Sequence, residues 1–558
     1  MSSLVVLLIS AVVLLGAYFT YGKYLAKVWG IDADKKTPAH TMNDGVDYCP
    51  CKAPVLLGHH FASIAGAGPI NGPIQASVFG WLPVMLWVLI GGVFFGAVHD
   101  FGSLYASIRH GGKSIGEVID VNIGRTGKRL FLVFAWLTLL LVIAAFASIV
   151  QGTFVVADPA ASTANGSVAT ASLLFIVLAI AFGFFVYRKN TSLLWSSIIG
   201  VILLAACVWV GLEFPIVGVS PNFWLGFIAV YIWVACVAPV WILLQPRDYL
   251  NSFLLYAMML LAAVGVIFAN PTMNIAPVVA EKTATLFPVL FITVACGAIS
   301  GFHSLVSSGT SSKQIDKETD AKVIGYGGML IECLLAILAL IAVASLGGQQ
   351  GTPPVTFATG IAGFFAAIGA STATQNVIFT LITLAVSAFA LTSLDTAARM
   401  GRFMLQEFFV NEGEDVKALT GIRKFVVNPY VSTTITVGLG ILLAIGGWSK
   451  IWPLFGAANQ LLAGLSLLAV CVWLGRIGKK NFMFYIPMAF MLIATLTSLI
   501  ITFKNQITAF LTHAEGVDMM TAGLQSFFAG VLAILAIILA IQGIKALTSI
   551  GKKKDVAA

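Results

Sequence analysis

The chain has 558 residues, 59% of them hydrophobic and 10% charged, with mean hydropathy +0.98 and a formal net charge of +8. Soluble domains carry about 25% charged residues, so a soluble enzyme or binding module is excluded and a polytopic α-helical membrane protein is expected. The positive excess is no nucleic-acid footprint, because the basic residues sit in short loops between apolar runs, as orientation in a lipid bilayer requires.

A bilayer crossing takes about 20 consecutive apolar residues. By that measure spans are predicted over 3–22, 55–79, 82–108, 130–157, 168–187, 191–213, 222–244 and 252–269. Others follow over 284–308, 323–346, 372–398, 430–447, 452–475, 481–503 and 521–545. Residues 3–22 lack a basic leader and a small-residue cleavage site, and read as a retained span rather than a signal peptide. The stretch 357–370 is short and rich in Gly and Ala, and is expected to be re-entrant or interfacial. The fold class is thus all-α and polytopic, with about 15 transmembrane helices plus a re-entrant segment. Residues 1–54 form an N-terminal span and loop, 55–476 the core, and 477–558 the C-terminal spans and tail.

Loop charge tests this reading. Lys23, Lys27, Lys35, Lys36 and Lys52 share the first loop, and Arg109, Lys113, Arg125, Lys128 and Arg129 share a later one. Arg188 and Lys189 follow, then Arg247, then Lys313, Lys317 and Lys322. Arg399, Arg402, Lys417, Arg423 and Lys424 come next, and the last clusters lie at 476–480 and 545–554. All fall on one face, while the opposite loops keep little beyond Lys282, Lys450 and Lys504. The excess of basic loops marks the cytoplasm, which places the N-terminus outside and the C-terminus inside.

The span 55–79 carries the segment on which the core is organised, Gly58-His-His-Phe-Ala-Ser-Ile-Ala-Gly-Ala-Gly-Pro-Ile-Asn-Gly-Pro. Proline removes a backbone donor and glycine weakens helix, so the helix is expected to break within 66–73. Broken backbone at membrane depth survives where protein, water or ligand satisfies it, and such helices line the sites of secondary transporters. The span 284–308 runs in the opposite direction and carries Ala295-Cys-Gly-Ala-Ile-Ser-Gly-Phe-His, followed by Ser-Ser-Gly-Thr at 307–310. Two interrupted, His-bearing helices of opposite direction suggest an inverted five-helix repeat with discontinuous helices. Its halves would start near 55 and 286, with extra spans at 222–269 between them.

Ionisable residues inside a span cost roughly 2.5–3.5 kcal/mol at the centre of a helix, so each needs a reason. His59, His60 and His303 lie on the broken helices and are candidates for carboxylate binding or proton carriage, since imidazole titrates near neutrality. Asp100 and Glu332 have no local partner and are candidate proton or cation carriers. Asp395 is a third, although Arg399 stands four residues on and can pair with it on one helix face, with Arg402 a turn below. His99 and Asp100 are adjacent, so their side chains are expected to diverge on a helix and form no direct dyad. The charged run from Lys313 to Ala321 reads as a solvated cytoplasmic loop, with a gate as the alternative. Asn459 and Gln460 are buried amides that either contact substrate or staple helices. The seven cysteines are scattered, and Cys49-Pro-Cys51 is spaced more tightly than usual metal-ligand pairs, so no metal or cofactor is expected. There is no Gly-rich phosphate loop for an ATP-driven pump and no repeated filter motif for a channel.

Five stretches together resemble the carbon starvation protein A family: the Gly58 segment, Gly96-Ala-Val-His-Asp-Phe, Ala295-Cys-Gly-Ala-Ile-Ser-Gly-Phe-His-Ser, Glu318-Thr-Asp-Ala and Trp452-Pro-Leu-Phe-Gly-Ala-Ala-Asn-Gln. The resemblance runs from about Leu4 to Arg476 and implies a bacterial inner-membrane carrier of peptides or pyruvate, of the amino acid–polyamine–organocation superfamily and not an enzyme. The short outer loops and the Cys49-Pro-Cys51 pair depart from that pattern. The expected function is a secondary active importer working by alternating access and coupled to H+ or, as the lesser choice, Na+. Its substrate-binding candidates are His59, His60, Ser63, Gly66, Gly68, Asn71, Ser300, His303 and Ser307; its ion-coupling candidates are Asp100, Glu332 and Asp395. A nutrient sensor or a passive channel is the alternative.

Overall fold

Apolar runs of this length satisfy their backbone in lipid only as helices. The computed structural model describes residues 2–557 except 46, 157–161, 190, 240–241, 281–284, 411–413, 415–417, 447 and 514–517. Lys282, Lys417 and the expected span ends at 157, 284 and 447 lie outside the described residues. In chain order the helices are α1 (Ser3–Phe19), α2 (Ala53–Ala65), α3 (Gly68–Ala76), α4 (Trp81–Arg109), α5 (Ile115–Asn122) and α6 (Arg125–Phe154). The middle of the chain forms α7 (Ala164–Gly183), α8 (Leu193–Glu213), α9 (Pro221–Val237), α10 (Leu244–Ala269), α11 (Leu286–Thr293) and α12 (Gly301–Gly309). The rest forms α13 (Gly328–Ser345), α14 (Pro353–Ala367), α15 (Thr372–Phe409), α16 (Pro429–Ala444), α17 (Trp452–Arg476), α18 (Tyr485–Leu511) and α19 (Met519–Ala557).

Among the described residues eleven helices are long and apolar enough to cross a membrane, and a twelfth if Gly421–Val427 and α16, bent by 70°, count as one span. The chain is a multi-pass membrane protein. Each predicted span has a helix or a helix pair in its place. The segment expected to be re-entrant is α14, whose 15 residues rise about 22 Å, short of a hydrocarbon core of about 30 Å.

Burial separates core from rim. The most apolar window of α17 is wholly buried, whereas only 22% of that of α8 is covered. Val12, Trp195, Ile486 and Ile534 on α1, α8, α18 and α19 are exposed, as lipid-facing side chains are. At the centre α6 and α15 lie against one another, and α16 packs on both. The pair α2–α3 packs on α10 and α13, and the pair α11–α12 on α17.

Two expectations are corrected here. Arg247 is no loop charge: α10 begins at Leu244 and holds it fully buried. Pro246 in the first turn fits a helix start, where its missing N–H costs nothing. The run 313–321 is no solvated loop either, because the first loop lies across it. Thr37 Oγ1 donates to Ile315 O (2.6 Å), Cys51 N to Gln314 O (2.8 Å), and Arg109 Nη2 to the buried Glu318 Oε1 (2.6 Å). Glu318 also accepts from Asp32 N (3.0 Å), so a charge that would have cost free energy if buried alone is doubly satisfied.

Candidate functional site

The two broken helices cross at their breaks. Gly66 between α2 and α3 has φ of +48°, a conformation that side chains other than glycine rarely adopt. Pro69 opens α3 at a position that needs no donor. The second break runs from Val294 to Ser300, whose extended backbone (φ −138°, ψ 127°) leads into α12. The breaks touch through backbone: a Cβ on Gly72 would stand 2.8 Å from Thr293 O and 3.1 Å from Val294 Cα. A glycine at position 72 is required by that approach.

The freed carbonyls and amides of the second break are satisfied by side chains from other helices. Asn459 Oδ1 accepts from Phe302 N (2.8 Å), and its Nδ2 donates to Ser300 Oγ (3.0 Å). Gln460 Nε2 donates to Phe291 O (3.1 Å), and Trp87 Nε1 to Val294 O (3.2 Å). The two amides therefore staple the break. Asn459→Ala is expected to lower stability in detergent by about 1–3 kcal/mol, because Phe302 N and Ser300 Oγ lose buried partners; chemical denaturation of the purified protein measures it.

Beside the crossing stands a buried chain of titratable groups. His99 Nδ1 donates to Asp100 Oδ1 (2.7 Å) and His303 Nδ1 to Asp100 Oδ2 (2.8 Å), while His303 Nε2 lies 3.4 Å from Glu332 Oε2. The direct His99–Asp100 contact corrects the expectation that neighbouring side chains diverge: Asp100 reaches back along its own helix to the imidazole. Asp100 and Glu332 both follow a widened helical turn, at Gly92–Gly96 and Lys322–Gly327. Such turns re-aim the side chains that follow them. Cys296 Sγ, a His303 nitrogen and a Glu332 oxygen lie within 4.8 Å of one another, close enough to share one proton or one small cation.

A second buried network lies on the α10 side of α2. Arg247 Nη1 donates to Asp395 Oδ2 and to Tyr231 OH, and Arg247 Nη2 to Asp248 Oδ1 (3.1 Å) and Thr392 Oγ1 (3.2 Å). His59 Nδ1 donates to Asp248 Oδ2 (3.0 Å). The expected Asp395–Arg399 pair is not formed. Arg399 donates instead to Ala235 O and Ala238 O (2.7 Å each) and Arg402 to Cys236 O (2.8 Å), covering carbonyls that the end of α9 leaves open.

The sequence-predicted residues thus divide. Ser63, Asn71, His303 and Glu332 are buried near the breaks, whereas His60 and Ser307 are buried farther along α2 and α12, towards Ser311. Among the described residues His60 Nε2, Ser63 Oγ, both amide atoms of Asn71, His303 Nε2, Ser307 Oγ and both Glu332 oxygens have no hydrogen-bond partner. Gly66 and Gly68 form the first break, and Ser300 belongs to the Asn459 clamp. His59 turns to Asp248 and Asp395 to Arg247, away from the crossing. Sequence reasoning missed Arg247, Asp248 and Tyr231; the available signal was Pro246, which places Arg247 and Asp248 inside a helix rather than before one. At Cys49 and Cys51 burial raises both thiols, that of Cys51 to about 12.

Comparison with known proteins identifies the family. The family model described as "Carbon starvation protein CstA" matches residues 2–352 and 347–498. The chain is 33% identical to "Peptide transporter CstA" of Bacillus subtilis (strain 168), over 86% of this chain and 87% of that one. It is 32% identical to "Pyruvate/proton symporter BtsT" of Escherichia coli (strain K12), over 88% of this chain and 81% of that one. In fold it resembles the manganese transporter of Eremococcus coleocola, with TM-score 0.50 at 10% identity, over 91% of this chain and 99% of that one. All three bear the names of transporters. The chain belongs to the carbon starvation protein CstA family.

Proposed function

We propose that this protein is a secondary active importer of a small carboxylate such as pyruvate, or of short peptides, working by alternating access and coupled to H+. The observation that carries the reading is the crossing of two broken helices, around which buried polar atoms stand without partners. Unpaired polar groups in an apolar interior cost free energy, so their persistence speaks for an occupant that completes them. At the first break α3 offers its N-terminal amides to an anion. At the second break Phe302 N is taken by Asn459, so the carboxylate belongs on the α3 side with Asn71.

Coupling to H+ fits the groups present better than coupling to Na+. Imidazoles and a carboxylate in line suit a proton, whereas Na+ seeks several oxygens, and Asp395 is already neutralised by Arg247. The relatives' printed names, a peptide transporter and a pyruvate/proton symporter, support both halves of the reading. The protein would sit in the bacterial inner membrane with about fifteen crossings, its N-terminus outside and its C-terminus in the cytoplasm. In the inverted repeat, α2–α3 answers to α11–α12, α4 to the span Glu318–Ser345, α6 to α15, α9 to α16 and α10 to α17. This pairing makes the α7–α8 hairpin the inserted element, in place of 222–269.

Counterflow of labelled pyruvate into proteoliposomes, with and without excess unlabelled dipeptide, tests the substrate. Exchange indifferent to dipeptide marks a monocarboxylate carrier; exchange blocked by it marks one site for both. Exchange of neither pyruvate nor a labelled dipeptide removes the reading. His60→Ala is expected to abolish exchange while the protein remains inserted and monodisperse, since it deletes the imidazole that links the first break to Ser311 (2.7 Å). Normal exchange by that variant would take His60 out of the site.

A further inference from the structure

A cavity of about 530 Å³ opens at the C-terminal end of α12, on the face that carries the basic loops. Its wall includes Lys113, Lys128, Lys313, Glu117 and Glu407, with Met400, Phe403 and Met404 supplying an apolar side. Two of the three lysines are neutralised. Lys113 Nζ lies 2.9 Å from Glu117 Oε1, and Lys128 Nζ lies 2.8 Å from Glu117 Oε2 and 3.5 Å from Glu407 Oε1. Lys313 differs. Its ammonium stands 5.4 Å from the ring centroid of Tyr48 and 5.3 Å from that of Phe403, and among the described residues it makes no ion pair. Asp44, Asp47 and Glu407 are near enough to act on its charge but do not reach it. Aromatic faces hold a cation without cancelling it. A largely desolvated ammonium with ring walls and an apolar flank is completed by an anion whose other end is apolar.

One segment of chain runs from the second break to this cavity. His303, Ser307 and Thr310 are spaced to share one face of α12 and its end. Among the described residues the buried Ser307 Oγ and Thr310 Oγ1 have no hydrogen-bond partner. Gly309 lines the cavity, and Ser311, two residues before Lys313, is the partner of His60. One continuous segment therefore carries the central histidine, two unpaired hydroxyls and the free ammonium.

We propose that this cavity is a second binding site for the transported carboxylate, a staging site on the basic-loop face where Lys313 pairs with the carboxylate. The proposal rests on the carrier reading for its substrate, and its test separates the two. Burial lowers the proton affinity of Lys313. In the purified full-length protein, acylation of Lys313 relative to that of the exposed Lys424, which corrects for reagent consumed by free amines, is followed by peptide mass mapping with pyruvate, a dipeptide or alaninamide present. Pyruvate or dipeptide should slow acylation about fivefold or more while alaninamide, lacking a carboxylate, leaves it unchanged. Equal labelling in all three overturns the site whether or not the protein transports. In proteoliposomes of fixed orientation, Lys313→Gln should raise KM about tenfold for substrate offered on the basic-loop face and not on the other. Lys313→Arg should restore most of that loss. An unchanged KM on both faces overturns the staging role and leaves the carrier standing. Protection without transport by the wild type keeps the anion site and removes the carrier.

Discussion

Arg247→Met is expected to be the most destabilising single substitution in the core. The guanidinium is fully buried and touches Asp395, Asp248, Tyr231 and Thr392, so one residue on α10 ties together α9, α10 and α15. Methionine fills a similar volume but leaves two carboxylates buried without their cation, and removing one partner of a buried pair costs about 3–5 kcal/mol. His59 still donates to Asp248, which leaves Asp395 with only the Tyr231 hydroxyl at 3.0 Å. The double variant Arg247→Met/Asp395→Leu removes both ends of the pair and should recover more than half of that loss of about 3–5 kcal/mol. Chemical denaturation in detergent, with size exclusion as a check on assembly, measures both. If Arg247→Met unfolds at the wild-type midpoint, the network does not hold these helices together.

The fold was legible where its signal is carried by composition and by residues that break helices. The run from Gly66 to Pro73 announces its break through three glycines and two prolines at short spacing, and the structure breaks at Gly66. The second break was legible only in outline, because Val294–Ser300 holds one glycine and no proline. What opens it lies elsewhere in the chain, in the Asn459 and Gln460 amides that take over its backbone bonds. The polar pairs were least legible. Asp395 and Arg399 have the spacing of an intrahelical pair, yet Asp395 meets Arg247, 148 positions away, because a buried carboxylate takes the cation that tertiary packing presents. Arg247 was read as a loop charge because hydropathy marks the apolar part of a span and not the polar turn with which α10 begins. The burial of Glu318 and the half-buried setting of Lys313 had no local signal, since what packs on that segment comes from distant residues such as Thr37, Tyr48, Arg109 and Phe403.

Glu332→Gln is expected to separate exchange from accumulation. Asp100 is held by two imidazole N–H groups, from His99 and His303, so its carboxylate is committed to its neighbours. Glu332 meets only His303 Nε2, at 3.4 Å, and neither of its oxygens has a hydrogen-bond partner among the described residues. A group with so few fixed bonds is the one whose protonation can change at least cost to the rest. Glutamine keeps the shape and removes the titration. Exchange moves no net proton and should persist within about threefold of wild type, whereas a carrier coupled to one proton can concentrate its substrate about tenfold per pH unit. Under an inward proton gradient the variant should only equilibrate pyruvate, or the dipeptide if that is the substrate, across the vesicle. Asp100→Asn should do something different. Its amide oxygen can accept from one imidazole while its NH2 opposes the other, so the aligned Nδ1–H groups of His99 and His303 cannot both be kept. Exchange and accumulation should then fall together. Accumulation by Glu332→Gln at the wild-type level would take the proton away from Glu332. A parallel loss of exchange and accumulation in both variants would make the Asp100–His303–Glu332 chain a brace for the broken helices rather than the path of the coupled ion.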